Sequence, residues 1–223
     1  MNDSIDKPEK EESKVDDNAG IKMSGHILIR DADTGEELVN KRNAIHYGNM
    51  ANMIANALTN TSGAYIHYMA FGNGATSVDS AGKVIYKAPR VSEAYENSAT
   101  LYSRTYQKII SNNTTTDKIE IIPGASYTDL KITCTLGYNQ PSGQDTFDTS
   151  TSNEGLYVFD ELGLLSYATD PNDSTMLTHV IFHPVQKSAN RTIEIIYTVS
   201  CLLYTSDAAD DTPCVDLGGR RII

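Results

Sequence analysis

Ile66-His-Tyr-Met-Ala-Phe71, closed by Gly72-Asn73-Gly74, is the stretch on which the fold turns. A short apolar and aromatic run that stops at a turn signal reads as a strand. Strand signals recur on both sides of it. Upstream, His26-Ile-Leu-Ile-Arg30 and Glu36-Glu-Leu-Val-Asn40 flank Asp33-Thr34-Gly35, a hairpin pattern in which the glycine supplies a positive φ. Downstream, residues 101–110, 118–122, 130–136, 156–167, 176–185 and 191–199 carry alternating or β-branched side chains. The period changes once. Between residues 46 and 59, Tyr47, Met50, Met53, Ile54, Ala57 and Leu58 recur at three and four residues, which predicts a helix whose Met50/Ile54/Leu58 face docks on a sheet. Two long polar loops, 75–98 and 141–153, complete the pattern, the first holding the short Val84-Ile85-Tyr86 run. The expected fold class is mainly β: an antiparallel β-sandwich with one amphipathic helix, at about 46–59, and long polar loops.

Composition narrows the function classes. The 223 residues are 39% hydrophobic and carry 29 Asp+Glu against 18 Lys+Arg, a formal net charge of −11. A chain without a Lys/Arg cluster is a poor partner for a phosphate backbone, so no nucleic acid is expected. No run reaches the roughly 18 apolar residues of a membrane helix, and no membrane partner is expected. Residues 1–20 hold seven acidic and three Lys side chains, with only Ile5 and Val15 as large apolar groups. They are expected to form a disordered acidic arm ahead of a β-rich domain at 21–200. The last segment reads differently. Cys201-Leu-Leu-Tyr-Thr-Ser-Asp-Ala-Ala-Asp210 and Val215-Asp-Leu-Gly-Gly-Arg-Arg-Ile-Ile223 resemble translated sequencing adapter, in one frame across a barcode-like gap at 211–214. Residues 201–223 are therefore expected to be a non-native tail. Leu202, Leu203 and Tyr204 could still extend the preceding strand by ordinary β-propensity. That leaves Cys134 as the one native cysteine and no disulfide framework.

Chemical motifs are sparse. His179 and His183 lie four apart on one strand face, but no third ligand with metal spacing joins them, and strand histidines at or near the surface are the better reading. Gly72-Asn73-Gly74 lacks the third glycine and the Lys-Ser/Thr of a phosphate loop, which leaves a structural turn. Asp160 and Glu161 are adjacent in a strand, and alternation sends them to opposite faces rather than to a shared acid–base site. No catalytic residue, metal or cofactor is expected, and the chain reads as a non-enzyme. Tyr is abundant, with 13 residues and no Trp. Tyr65, Tyr68, Tyr86, Tyr95, Tyr102 and Tyr106 straddle the 75–98 loop and are the candidate interface, since each offers a rigid ring with a polar tip.

Three blocks carry a family resemblance. They are Asp31-Ala-Asp-Thr-Gly-Glu-Glu-Leu38 with Asn43-Ala-Ile-His-Tyr47; Ile66-His-Tyr-Met-Ala-Phe-Gly-Asn-Gly74 with Ala99-Thr-Leu-Tyr-Ser-Arg-Thr-Tyr106; and Phe159-Asp-Glu-Leu-Gly-Leu164. In this order they resemble virion structural proteins of tailed bacteriophages, most closely the N-terminal module of tail-collar fibres and baseplate fibre adaptors. The resemblance spans about residues 24–200 and departs at the lengthened 75–98 loop and the acidic arm. It implies a virion component, made in the host cytoplasm, that forms homo-oligomers and contacts other virion proteins. Two other classes stay open. A carbohydrate- or receptor-binding sandwich would give a host-surface glycan as partner, and an enzyme on a sandwich scaffold would need paired carboxylates in one motif.

Overall fold

The computed structural model describes residues 19–61, 63–92, 94–112, 116–142 and 157–205. The expected disordered arm up to residue 18, most of the 141–153 loop and the tail beyond residue 205 lie outside the described residues. The chain divides into a main unit, Met23–Leu202, and a second unit made of its two ends, Met1–Lys22 and Leu203–Ile223. Its strands are β1 (Ala19–Asp31), β2 (Glu37–Arg42), β3 (Ala44–Ile45), β4 (Ile66–Gly72), β5 (Thr76–Val78), β6 (Val84–Tyr86), β7 (Arg104–Ile109), β8 (Lys118–Pro123), β9 (Tyr127–Leu136), β10 (Val158–Ser166), β11 (Thr178–Gln186) and β12 (Ile193–Thr205). One α-helix, α1 (Tyr47–Leu58), and a single 3-10 turn at Pro171–Asp173 complete the described elements.

The fold is mainly β, as the period-two runs predict. One five-stranded sheet has the order β2-β1-β12-β9-β8, the other β3-β11-β10-β4-β7, and β5 and β6 form a separate hairpin. Alternation sends one face of each sheet into a shared core. Ile27, Ile29, Ile132, Cys134, Ile195 and Tyr197 enter from the first sheet and Met69, Phe71, Leu162, Leu164, Val180 and Phe182 from the second. Fully burying such side chains stabilises by roughly 1.5–3 kcal/mol each, before the entropy of ordering them is subtracted. The Asp33-Thr34-Gly35 turn forms as read, with Gly35 at φ 76° and the Asp31 carboxylate accepting the N–H groups of Asp33 and Thr34.

Three sequence expectations are corrected or extended. The 75–98 loop is not featureless: β5 and β6 pair across a turn at Asp79–Gly82. Strand β12 runs past residue 200, with Cys201 opposite Thr128 and Leu202 opposite Tyr127, so the adapter-like segment does extend the strand. Only part of the expected helix face docks. Met50 is buried, and Met53 and Ile54 pack on Ile45 and Leu177, whereas Leu58 is 83% exposed and Tyr47 58%. The apolar cluster beneath α1 is small and does not extend under its last turn, so the heptad-like pattern outruns the surface available to it.

Candidate functional site

The β3-β11-β10-β4-β7 sheet carries a cluster of buried polar side chains, Asp160, Glu161 and His179. Its origin is a register shift in β10 between Phe159 and Glu161 against β11. An extra residue in a strand turns its neighbours. Phe159 and Leu162 thus both enter the core, and Asp160 and Glu161 both grip the chain that follows β4. The expectation that alternation separates the two carboxylates is corrected by this bulge.

Asp160 accepts the N–H of Ala75 at 3.1 Å and of Thr76 at 2.8 Å, together with the Thr76 hydroxyl. Glu161 accepts from the N–H groups of Gly74 (3.2 Å), Tyr102 (2.9 Å) and Ser103 (2.8 Å). The His179 ring completes its shell at 3.0 Å, and both side chains are fully buried. On the far side of the ring, Nδ1 of His179 accepts the N–H of Arg90 at 2.8 Å. Nδ1 is therefore unprotonated, and Nε2–H donates its hydrogen bond to the Glu161 carboxylate. Burial by itself raises the Glu161 pKa, but the His179 bond and the Ser103 and Tyr102 N–H groups outweigh it and hold the carboxyl below its ordinary value. A carboxylate so surrounded ties two ends of one long connection, residues 73–103, to the middle of the sheet. Close approach explains the glycines: a Cβ on Gly72 would fall 2.5 Å from the Ser103 carbonyl oxygen, and one on Gly74 2.7 Å from the Ser103 side chain. Neither has positive φ, so space rather than backbone conformation selects glycine there. Asn73 between them is a bend whose N–H donates to the Ser103 carbonyl at 3.1 Å.

The histidines separate. His179 is buried, which corrects its reading as a surface or half-buried residue, while His183 is exposed and meets the Tyr86 hydroxyl at 3.1 Å. Among the described residues no three His, Cys, Asp or Glu side chains are grouped as a metal would require. A third histidine, His46, caps α1: its Nδ1 accepts the Asn49 N–H, and burial lowers its pKa below the ordinary 6.5. Two further buried groups are shifted by desolvation, with the Cys134 thiol pushed up to about 12 and the Lys187 ammonium down to about 8.

The six candidate tyrosines do not form one patch. Tyr68 is buried in a cluster with Ala70, Leu165 and Met176 and with Ala99 and Leu101 of the connection, and this removes it from the interface set. Tyr106 is half-buried against Phe71 and the core. Tyr102 pins the connection: its hydroxyl donates to the Ala88 carbonyl at 2.9 Å and its ring lies under Lys87 Nζ at 4.5 Å and the Arg90 guanidinium at 4.9 Å. Tyr65, Tyr86 and Tyr95 are about half exposed, and Tyr65 stacks on Tyr167 with ring centres 5.4 Å apart.

Sequence reasoning missed the Glu161–His179 pair. The available signal was a charge inside Phe159–Leu165, where every neighbour from Leu162 onward is apolar or glycine, so that strand pairing on both sides forces the carboxylate indoors. No family model, no curated protein and no solved structure matches this chain.

Proposed function

We propose that this chain is a non-enzymatic structural protein of a tailed-phage virion, a tail, baseplate or fibre-attachment component that works through homo-oligomeric contacts and contacts with other virion proteins. The observation that supports this reading is the convergence of two of the three blocks that carry the resemblance. Glu161, from Phe159-Asp-Glu-Leu-Gly-Leu164, accepts hydrogen bonds from Gly74 at the end of the second block's first half and from Tyr102 and Ser103 in its second half. The motif residues thus have one joint physical task, to clamp a variable connection onto a sheet. Each carboxylate oxygen of the clamp is occupied by backbone N–H groups or by His179, an arrangement suited to rigidity. Rigid polypeptide connections displayed on a β-sandwich suit a subunit that buries its surface on assembly.

The test has two parts. Light scattering on the purified full chain at tens of micromolar should report a discrete homo-oligomer, and the genes flanking its locus should encode tail, baseplate or neck proteins. A monomer at all concentrations, encoded among metabolic genes, would overturn the proposal.

A further inference from the structure

A second polar feature lies along α1. Helix residues Asn49, Asn52 and Asn56 recur at three and four positions and line one cleft of about 160 Å³ together with Tyr95 and Tyr167. Asn is a poor helix former, disfavoured against Ala by up to about 0.7 kcal/mol per residue. Asn49 has an evident structural reason to be there. Its amide donates to the carbonyls of Glu96 (2.9 Å) and Met176 (2.8 Å) and accepts the Glu96 N–H at 2.7 Å. Asn52 and Asn56 differ: both are half-buried, and among the described residues neither side-chain amide has a hydrogen-bond partner. Their amides reach the cleft rather than the protein interior, and local preferences are typically broken at functional sites.

The opposite wall is held in place. A Cβ on Gly48 would fall 2.4 Å from the Ala94 carbonyl carbon, so the 94–95 backbone lies directly on the helix, and the Asn49–Glu96 pair of hydrogen bonds fixes it there. Tyr95, 54% exposed, is presented from this fixed segment. Tyr167 is braced from behind by the Tyr65 ring. In a chain of net charge −11, no Asp, Glu, Lys, Arg or His among the described residues lines the cleft.

We propose that this cleft binds one ring of a neutral saccharide. Each free amide offers a donor and an acceptor on one rigid plane, the pattern that adjacent sugar hydroxyls need. The tyrosine rings accept the apolar C–H face of such a ring and hydrogen-bond at their tips. The uncharged lining of the described residues suits a neutral ligand better than an anionic or cationic one. The volume is below the roughly 300 Å³ of a site that encloses a whole small molecule, so it fits one terminal or branch residue of a longer glycan. This inference is independent of the assembly reading and stands or fails separately.

The experiment is ligand-observed saturation-transfer NMR on the full chain. The probes are methyl glycosides of neutral hexoses, 6-deoxyhexoses and N-acetylhexosamines, with methyl glucuronide as the charged comparator. At least one neutral glycoside should receive saturation, more strongly than the glucuronide. The double variant N52A/N56A should weaken that binding at least tenfold while melting no lower than the parent, since Ala propagates a helix better than Asn. Tyr95→Ala should weaken it as well. Silence from every neutral glycoside, stronger transfer to the glucuronide, or unchanged binding by a folded N52A/N56A would each overturn the proposal.

Discussion

The two faces of the β3-β11-β10-β4-β7 sheet are buried by opposite means. Its inner face meets the other sheet through Met69, Phe71, Leu162, Leu164, Val180 and Phe182, with no charged group among them. Its outer face holds an apolar cluster of Tyr68, Ala70, Leu165 and Met176 with Ala99 and Leu101 of the connection, beside the buried Glu161–His179 pair. Non-directional burial tolerates exchange of one apolar side chain for another of like volume. A buried carboxylate with three N–H donors and an imidazole tolerates almost none, because each lost acceptor leaves a donor unpaired in a dry interior. The inner face supplies bulk stability, while the outer face dictates one path for the connecting chain.

The sharpest attempt to break this contrast is Glu161→Leu. It leaves the Tyr102 and Ser103 N–H groups and the His179 ring without an acceptor, and the expected cost is about 3–5 kcal/mol in urea unfolding. Glu161→Gln should go the same way, because its NH₂ would face N–H donors, but with a smaller loss, because its amide oxygen still accepts. A middle-sized effect is expected on acidification. Glu161 has a lowered folded-state pKa, so its stabilisation is present above the unfolded value and is lost as pH falls through the folded one. His46 acts in the same direction from higher pH, since the unfolded chain takes up its proton near 6.5 before the buried ring does. Melting temperature should fall from pH 7 to pH 4, and Glu161→Gln should flatten the lower part of that slope. An unchanged slope would locate the acid sensitivity elsewhere.

On the inner face, Leu162→Met should cost less than about 1.5 kcal/mol in the same urea series. A loss equal to that of Glu161→Leu would erase the distinction between the faces. The smallest effect is reserved for the helix end: Leu58→Ser should change stability by no more than about 0.5 kcal/mol, because Leu58 is 83% exposed. A larger loss in the full chain would mean that Leu58 is covered after all, as it would be in an assembly.

Much of this architecture was legible in the residue pattern. Period-two runs located the strands, the single 3.6-residue run located α1, and Gly35 marked its turn, because alternation and local backbone preference act over a few residues. Strand β12 illustrates the same independence: the register that sets Ile195 opposite Cys134 continues to Leu202 opposite Tyr127. β-Propensity and backbone pairing require no shared history. What the tertiary structure alone decided is which side chains share a fate. The bulge at Asp160 turned two adjacent carboxylates onto one connection. The small patch beneath α1 covered Met50 and left Leu58 in water, and the cluster with Ala99 and Leu101 buried Tyr68 while Tyr95 stayed exposed. Each of these outcomes depends on contacts between residues tens of positions apart, whose geometry no local period encodes.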